Sequence, residues 1–303
     1  MAQPSTTIVS VTYNARKTIG PLLDAIKPAH DSGEVVVVVA DNASADGTEA
    51  FVREQYPWVT FTQNGGNIGF ASGCNAGFAK VETKYVMFLN PDTVMDPEAL
   101  SVMLKFMESH PRCGLAGPAM IYPGGGLQAA GMLLTPSGVL KAAAGLGLGA
   151  FPLRREIEPN APAFRTEWVC GACMLLPTAV YRDVGMMDSR FFLYFEETDL
   201  CRKIVAQGHE IWAVGEAVIE HEGGASAKDT GRKLSEGCIA EFFFASRYYY
   251  MTKNYGRGPA VASEIGELAL LAGRTVVDRL RRRDRNLLKE RLEGPVLRPP
   301  KPR

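Results

Sequence analysis

The sequence predicts an α/β protein with a mostly parallel central sheet, flanking helices and a C-terminal helical extension. Short apolar runs alternate with amphipathic segments through the first part of the chain, and the run Val35–Val39 is β-branched throughout. Such a run is typical of a strand that is covered on both faces. Alternation with helices implies parallel strands joined by right-handed crossovers, and these sheets bind ligands beyond the carboxyl ends of their strands.

The first part of the chain reads as four strands separated by three helices. The strands are TIVSVTY, EVVVVVAD, VTFTQ and YVMFLN, and the helices run from Thr18 to Ile26, from Thr48 to Gln55 and from Ser72 to Lys80. Further along, EFFFASRYYYMTKNYG and the segment from Glu264 to Leu292 predict helices. We expect the aromatic residues of this extension to pack on the rest of the chain or on a second subunit of a homodimer.

Composition fits a folded intracellular protein. The 303 residues, 46% of them hydrophobic, suffice for a full α/β core. No stretch approaches the roughly 18 apolar residues of a spanning helix, and MAQPSTTIVS has no basic region followed by an apolar one. We therefore expect a cytoplasmic location. The six cysteines are expected to be reduced, and Cys170 and Cys173 lack the second ligand pair of a structural zinc site.

Charge is unevenly distributed along the chain. The formal net charge is zero, yet eleven Lys or Arg and only four Asp or Glu lie from Gly273 onward. Nucleic-acid binding would rest on this tail alone, and we expect none. Five arginines (279, 281, 282, 283 and 285) beside Leu280, Leu287 and Leu288 are typical of a basic amphipathic helix on the inner face of the cell membrane. A solvated charged helix is the alternative.

Polar and glycine residues follow each of the four predicted strands. They are Thr12, Tyr13 and Asn14; Asp41 to Gly47; Asn64 to Phe70, which includes Asn67 and Gly69; and Asn90 to Asp92. Each group has a local explanation, because Asp41 and Ser44 suit a turn or a helix cap and the glycines permit positive φ. Since the carboxyl ends of parallel strands meet at one edge of a sheet, we expect the groups to form one ligand-binding rim. The stretch GGNIGFASGCNAGFA lacks both the P-loop pattern and GxGxxG.

The segment FFLYFEETDLCRK places Glu196, Glu197 and Asp199 directly after an aromatic run. Neighbouring carboxylates and apolar surroundings both raise a carboxyl pKa, which suits a general base at neutral pH. The same residues also suit the first turn of a helix, where acidic side chains complement the helix dipole. The residues alone leave both interpretations open.

The motifs VTYN, DNASADGT, NGGNIGFASGCNAG and FLNPDT, in this order, resemble those of the inverting nucleotide-sugar glycosyltransferases of family 2, which have the GT-A fold. The match continues through WVCGACMLLP, FFLYFEETDLCRK and HEGGAS, so it spans roughly residues 6 to 227. The rhamnosyltransferase-like branch is the most similar. The resemblance implies a transferase of polysaccharide biosynthesis, such as that of the cell wall.

The resemblance also implies a divalent cation, Mn²⁺ or Mg²⁺. Asp92 resembles the last carboxylate of the family's DxD motif, which binds the cation on the nucleotide diphosphate, with Asn90 in place of the first Asp. His221 of HEGGAS resembles the family's HxxGxS stretch and would be a second ligand. An imidazole ligand favours Mn²⁺. A core histidine is the alternative for His221.

The second acidic residue of FEE resembles the family's catalytic base, usually Asp. This implies that Glu197 takes the proton from an acceptor hydroxyl, which attacks the anomeric carbon opposite the leaving diphosphate and inverts its configuration. Glu196 and Asp199 are rivals for the role.

The resemblance further implies how the substrates are bound. Asp41 would pair with the pyrimidine base, and the nucleotide and sugar would be lined by Thr12, Tyr13, Asn14, Asn67, Gly69, Asn75, Asn90 and Asp92. The favoured donor is dTDP-rhamnose, and a UDP-sugar is the alternative. The residues themselves make the segment from Gly124 to Gly149 and Trp168 candidates for contact with the acceptor, a glycan or a lipid-linked sugar. The alternatives are a plain loop for the glycine-rich segment and a core position for Trp168.

The predicted catalytic domain covers residues 1–235, with a nucleotide-sugar half at about 1–120 and an acceptor half at about 121–235, and the helical extension covers residues 236–303. Two other functions stay open at this point. A sugar nucleotidyltransferase would share the fold and the metal carboxylate, but Arg16 and Lys17 lack the phosphate-binding glycine loop that it needs. A non-catalytic nucleotide-binding scaffold would need neither Glu197 nor Asp92.

Overall fold

The computed structural model describes residues 3–95, 97–146, 154–222, 238–281 and 287–300. The strands are β1 (Thr6–Thr12), β2 (Val35–Asp41), β3 (Thr60–Gln63), β4 (Tyr85–Leu89), β5 (Thr93–Val94), β6 (Cys113–Ile121), β7 (Ala129–Ala130), β8 (Arg155–Glu156), β9 (Phe164–Thr166), β10 (Cys173–Pro177) and β11 (Glu210–His221). The helices are α1 (Ile19–Asp31), α2 (Thr48–Gln55), α3 (Phe70–Phe78), α4 (Pro97–Ser109), α5 (Pro136–Ala143), α6 (Thr178–Asp183), α7 (Glu196–Ala206), α8 (Cys238–Tyr255), α9 (Arg257–Leu280) and α10 (Leu287–Leu292).

The main sheet has nine strands, and eight of them follow the order β3-β2-β1-β4-β10-β6-β11-β5, with β9 paired to β11. The four strands that the sequence predicts, β1 to β4, are parallel to one another, which confirms that prediction. Beyond β4 the sheet is mixed: β10 is antiparallel to β4 and β6, β11 is parallel to β6, and β5 is antiparallel to β11. The short strands β7 and β8 pair separately.

Both faces of the parallel strands are covered. Neighbouring residues of β1 and β4 belong to opposite cores: Ile8 and Met87 pack with Leu22 of α1, whereas Val9 and Phe88 pack on the other face. Since successive side chains of a strand point to opposite faces, a doubly covered strand buries every side chain and is mostly apolar, although β1 also buries Thr6, Thr7, Ser10 and Thr12. This explains the continuous apolar runs in the sequence.

The C-terminal extension is helical, as predicted. Gly256, with φ 86°, separates α8 from α9, and α9 starts at Arg257, earlier than the Glu264 that the sequence predicts. Leu287 and Leu288 are half-buried in α10 and not exposed. Arginines 282, 283 and 285, the segment from Gly223 to Ser226 and the predicted domain boundary at residue 235 lie outside the described residues. The domain division therefore stays a prediction.

The described cysteines are free thiols, as expected. Among the described residues, no group of three His, Cys, Asp or Glu side chains could hold a metal ion. None of the described helices is long and apolar enough to cross a membrane.

Candidate active site

The loops after β1 and β2 are joined through Asp41, which is fully buried. Its carboxylate accepts hydrogen bonds from Thr12 Oγ1 (2.6 Å), Ser44 Oγ (2.6 Å), Ser44 N (2.8 Å) and Gln63 Nε2 (3.1 Å). Four donors match the lone-pair positions of a carboxylate. Asp41 therefore fixes the shape of the rim, and a base would contact it only by displacing one of these donors.

The loop after β1 turns through Asn14, whose φ is 53°. Asn14 accepts a hydrogen bond from Ala45 N at Oδ1 (2.9 Å) and donates its backbone N–H to Ser44 Oγ (2.8 Å). Tyr13, next to it, is 41% exposed. The side chain of Asn14 thus shapes the loop, which presents Tyr13, Arg16 and Lys17 to solvent.

The glycine-rich loop after β3 is attached to the segment that precedes Glu196. Gly69 has φ 85°, and a Cβ atom there would lie 2.5 Å from the carbonyl oxygen of Phe192, so no other residue fits. Phe70 N donates to the same oxygen (2.8 Å), and Asn67 Oδ1 accepts from Gly69 N (3.2 Å). The predicted donor loop and the predicted base segment are therefore in direct contact.

Asn75 does not join this group through its side chain. Its amide donates to the carbonyl oxygen of Met187 (2.9 Å) and accepts from the hydroxyl of Tyr181 (2.6 Å). These bonds attach α3 to Tyr181 of α6 and to the loop that follows α6. The side-chain amide of Asn75 therefore joins elements of the fold.

Sheet register brings Asp92 and His221 together. In the antiparallel pair of β5 and β11, His221 lies opposite Thr93, and Glu222 N donates to the carbonyl oxygen of Asp92 (2.9 Å). Nε2 of His221 lies 3.3 Å from Oδ1 of Asp92, and each side chain is only 8% exposed. The imidazole nitrogens make no hydrogen bond of good geometry with the described residues. The pair offers one oxygen and one nitrogen to a cation, which would complete its shell with water and phosphate oxygens.

The FLNPDT segment is both a turn and part of this site. Asn90 O accepts hydrogen bonds from Thr93 N (3.2 Å) and Thr93 Oγ1 (2.7 Å), and Asn90 N donates to Ala172 O (2.8 Å). The turn therefore lies beside the segment that contains Cys170. Burial, with smaller contributions from the charges of Glu197 and Asp92, raises the pKa of the Cys170 thiol to about 12. Cys170 is therefore near enough to both carboxylates to be affected by their charges.

Glu197 is half-buried in the first turn of α7. Its Oε1 accepts hydrogen bonds from Trp168 Nε1 (3.1 Å) and Thr198 Oγ1 (3.1 Å), and its stem packs on Gly171. Burial raises the pKa of Glu197, although these hydrogen bonds and the backbone N–H groups oppose the shift. A carboxyl group with a raised pKa is suited to accept a proton near neutral pH.

Glu196 is buried, with 4% exposure, and its Oε2 has no hydrogen-bond partner among the described residues. Burial first, and then the charge of Glu197, raise the pKa of Glu196 well above its usual value. Two carboxylates this close do not both ionise readily. Because Glu196 is the more deeply buried of the two, we expect it to hold a proton more readily than Glu197 does.

Asp199, the other rival, is directed to the C-terminal extension. It is fully buried and accepts hydrogen bonds from Lys253 Nζ (2.7 Å) and Asn254 Nδ2 (3.2 Å) of α8. Lys253 also donates to Asp188 Oδ2 (2.8 Å). We call Lys253, Asp188 and Asp199 the α8 clamp. It connects α8 to Asp188, which precedes α7, and to Asp199, which lies in the first turn of α7.

The backbone between the two ends of the α8 clamp is strained. Tyr194 and Phe195 are consecutive non-glycine residues with φ 68°, a conformation that carries an energetic cost and is seen mainly where surrounding structure enforces it. Both rings contact Phe243 of α8, with centroids 5.7 and 5.3 Å apart, and Ser246 Oγ donates to Leu193 O (2.9 Å). Helix α8 thus holds the strained turn that presents Glu197.

Sequence reasoning missed two functional features of this arrangement. Trp168 was expected at the acceptor or in the core; it is buried, but its indole N–H holds Glu197. Lys253 was not singled out at all, because nothing near it in sequence signals a contact with Asp199. The sequence contains one indication that Trp168 belongs to the site, which is its position in WVCGAC among the family motifs.

Comparison with known proteins gives a consistent result. The family model described as glycosyl transferase family 2 matches residues 7–175. The N-acetylglucosaminyl-diphospho-decaprenol L-rhamnosyltransferase of Mycobacterium tuberculosis is 26% identical over 304 aligned residues, which cover 93% of this chain and 96% of that protein. A low-salt glycan biosynthesis hexosyltransferase of Haloferax volcanii is 26% identical over 64% of this chain and 59% of that protein.

Solved structures share the fold. The mannosyltransferase PcManGT of Pyrobaculum calidifontis, in complex with GDP-Man and Mn²⁺, superposes with a TM-score of 0.57 at 16% identity and covers 97% of this chain and 85% of that one. TarS 1–349 of S. aureus, in complex with UDP, gives 0.55 at 15% identity, with 95% and 87% covered. At such identities the likeness shows the fold alone, and it confirms the GT-A fold that the sequence motifs imply.

Proposed function

The chain belongs to glycosyl transferase family 2, and from this membership we propose that it moves a sugar, with inversion, from a nucleoside-diphosphate donor to a hydroxyl of a glycan or lipid-linked acceptor. The observation that supports the proposal most is the almost fully buried Asp92–His221 pair, with the Glu197 carboxylate held by Trp168 in the first turn of α7. A general base and a cation site are the two components that such a transfer needs.

Glu197 is the proposed base. Its carboxylate takes the proton of the acceptor hydroxyl as the hydroxyl oxygen forms a bond to the anomeric carbon. The bond from that carbon to the diphosphate oxygen breaks, and its electron pair leaves with the diphosphate. Trp168 orients the carboxylate through its indole N–H, and burial raises the pKa of Glu197 so that it can hold the proton.

Asp92 and His221 would hold Mn²⁺ or Mg²⁺. Their oxygen and nitrogen donors, 3.3 Å apart and almost fully buried, fit a cation that takes its remaining ligands from substrate phosphates and water. When bound, such an ion offsets negative charge that develops on the diphosphate. The related mannosyltransferase structure contains Mn²⁺.

We propose dTDP-rhamnose as the donor, with a UDP-sugar as the alternative. The mycobacterial relative is an L-rhamnosyltransferase by name. Asp41 is buried at the rim, where a pyrimidine N–H would have to displace one of its four donors, and Tyr13 lies exposed on the adjoining loop. The name of the same relative gives its acceptor as N-acetylglucosaminyl-diphospho-decaprenol. We therefore favour a lipid-linked acceptor for this chain. A location in the cytoplasm stays a prediction.

A donor screen with product analysis tests the proposal. The purified protein is incubated with dTDP-rhamnose or a UDP-sugar, Mn²⁺ and a lipid-linked amino-sugar diphosphate, and the anomeric configuration of the product is determined. Transfer with inverted configuration supports the proposal. Retained configuration contradicts it. Release of sugar 1-phosphate and nucleoside triphosphate on addition of pyrophosphate, without sugar transfer, also contradicts it and would favour a nucleotidyltransferase.

A further inference from the structure

Helix α9 has its polar side inside and its apolar side outside. Its buried residues include Ser263, Thr275 and all three of its acidic side chains, Glu264, Glu267 and Asp278. Its outward residues include five large apolar side chains: Ile265 is 55% exposed, Leu270 37%, Val276 57%, Val277 44% and Leu280 81%. An outward apolar face on a helix of a folded protein marks a surface that meets something other than water.

The inward polar face is explained by ion pairs within the protein. Glu264 and Glu267 accept hydrogen bonds from Arg247 of α8 and from Arg291 of α10, and all four side chains are buried or nearly so. A buried charge must be paired, so this network fixes the rotation of α9 about its own axis. The apolar side is therefore held outward and cannot turn to the core.

The five exposed apolar residues form a continuous stripe. At 3.6 residues per turn they fall within an arc of about 140° around the helix axis. We call this stripe the α9 face; it consists of Ile265, Leu270, Val276, Val277 and Leu280. The arc is as wide as the apolar side of a helix that lies in a membrane interface.

Charge indicates what covers the α9 face. Arg257 and Arg279 of the helix and Arg281 at its end are exposed, whereas the helix exposes no acidic side chain. A second copy related by a two-fold axis would bring two positively charged faces together. A surface of anionic lipids is instead complementary to exposed arginines beside apolar side chains.

We propose that the α9 face docks the protein on an anionic membrane surface, with its aliphatic side chains among the lipid tails and Arg279 and Arg281 at the headgroups. The inference stands on the geometry of α9 and goes beyond the proposed transfer reaction. It differs from the sequence expectation, which placed the apolar side of the helix at Leu280, Leu287 and Leu288, because the last two are half-buried.

Flotation of the full-length protein with vesicles tests the proposal. Vesicles of phosphatidylcholine with phosphatidylglycerol should bind the protein, and vesicles of phosphatidylcholine alone should bind it more weakly. Val276→Gln with Leu280→Gln should weaken binding by about tenfold or more. Arg279→Gln should weaken binding to the anionic vesicles by about fivefold and leave the neutral vesicles unchanged.

Two matched controls test whether the effect depends on the position of the replaced side chains in the α9 face. Met132→Gln removes another side chain of 40% exposure, and Arg53→Gln removes an exposed arginine of α2; both should bind vesicles like the unmodified protein. Because the replaced α9 side chains point outward, the double variant should keep its melting temperature and its rate with a water-soluble acceptor.

Three results would overturn the proposal. The unmodified protein could fail to float with anionic vesicles, or the double variant could float as well as the unmodified protein. Self-association without lipid that the double variant abolishes would show that a second copy covers the α9 face.

Discussion

Replacement of Lys253 by methionine removes the centre of the α8 clamp while it keeps the length and apolar stem of the side chain. Lys253 Nζ lies 2.8 Å from Asp188 Oδ2 and 2.7 Å from Asp199 Oδ2. The side chains of Asp188 and Asp199 are 12% and 1% exposed. The substitution leaves two nearly buried carboxylates without their shared cation.

The expected loss of stability follows from the remaining partners. Removal of one member of a buried ion pair costs about 3–5 kcal/mol. Lys253 is 26% exposed, and both of its partners keep other contacts. Asp188 keeps three hydrogen bonds from Arg190 and one from Tyr249, and Asp199 keeps Asn254 and an ion pair with Lys203 at 3.9 Å. We therefore expect a loss of about 2–3 kcal/mol. For a chain of this size, that lowers the melting temperature by about 4–12 °C.

The stability difference should depend on pH with a defined sign. Burial would raise the pKa of Asp188, but hydrogen bonds from Arg190 and Lys253 outweigh it and lower that pKa below the usual 3.8. A carboxyl whose pKa is lowered by folding stabilises the protein above its unfolded pKa and loses this contribution as the pH falls. The difference between the two proteins should therefore be largest near neutral pH and shrink below 3.8.

Activity should fall in kcat more than in KM. The α8 clamp supports the strained Tyr194–Phe195 turn before Glu197, so a loosened clamp misplaces the base, and we expect kcat to fall on the order of 10–100-fold. The donors to Asp41 lie on Thr12, Ser44 and Gln63, outside the segment that Lys253 holds, whereas the Gly69 loop contacts that segment at Phe192. The donor KM should therefore change less than kcat. Thermal unfolding and initial rates measure both effects.

Lys27→Met is the matched control for Lys253→Met. Lys27 pairs with Asp31 on the surface of α1, where the side chains are 47% and 56% exposed, and such a pair contributes about 0–1 kcal/mol. Unchanged stability and kcat in Lys253→Met, or equal effects of the two substitutions, would refute the role of the α8 clamp.

Three further predictions follow from the site. His221→Ala and Asp92→Asn should each raise the Mn²⁺ concentration for half-maximal activity by about 10–100-fold, whereas an unchanged metal titration would remove that residue from the cation site. Gly69→Ala should cost on the order of 1–3 kcal/mol and raise the donor KM, because its Cβ would meet Phe192 O at φ 85°; calorimetry and kinetics check this. Glu196→Gln should stabilise the protein near neutral pH. Folding raises the pKa of Glu196, so this residue destabilises the folded protein once the pH rises above the usual value of 4.5, and glutamine avoids that cost. Melting temperatures measured against pH that show no such gain would refute the raised pKa of Glu196.

The parallel part of the sheet was predictable because each of its signals is local. Continuous apolar runs mark doubly covered strands, and the polar residues after β1, β2 and β4 mark their carboxyl ends. The mixed part was not predictable in this way. The two residues of β5 carry no periodicity, and β10 is antiparallel within a sheet that otherwise reads as parallel.

The proposed site rests on motifs that the sequence shows, but the contacts of each side chain could not be predicted from them. The sequence placed Asp92 and His221 in one site only through family resemblance, and the register of β5 and β11 is the physical reason that they meet. It left Glu196, Glu197 and Asp199 as rivals, because their separation depends on Trp168 and Lys253, which are distant in sequence. Asn75 was expected at the donor, but the backbone of Met187 and the hydroxyl of Tyr181 occupy its amide.

The most direct test of the account compares the rate of sugar transfer in Glu197→Gln and Glu196→Gln. The two residues are adjacent, and glutamine copies a protonated Glu196 but removes the basic oxygen of Glu197. We predict that Glu197→Gln loses about 10²–10⁴-fold in kcat and still gains thermal stability from dTDP or UDP with Mn²⁺, while Glu196→Gln stays within about fivefold of the unmodified enzyme. A Glu197→Gln variant that transfers sugar at the full rate would contradict the assignment of the base.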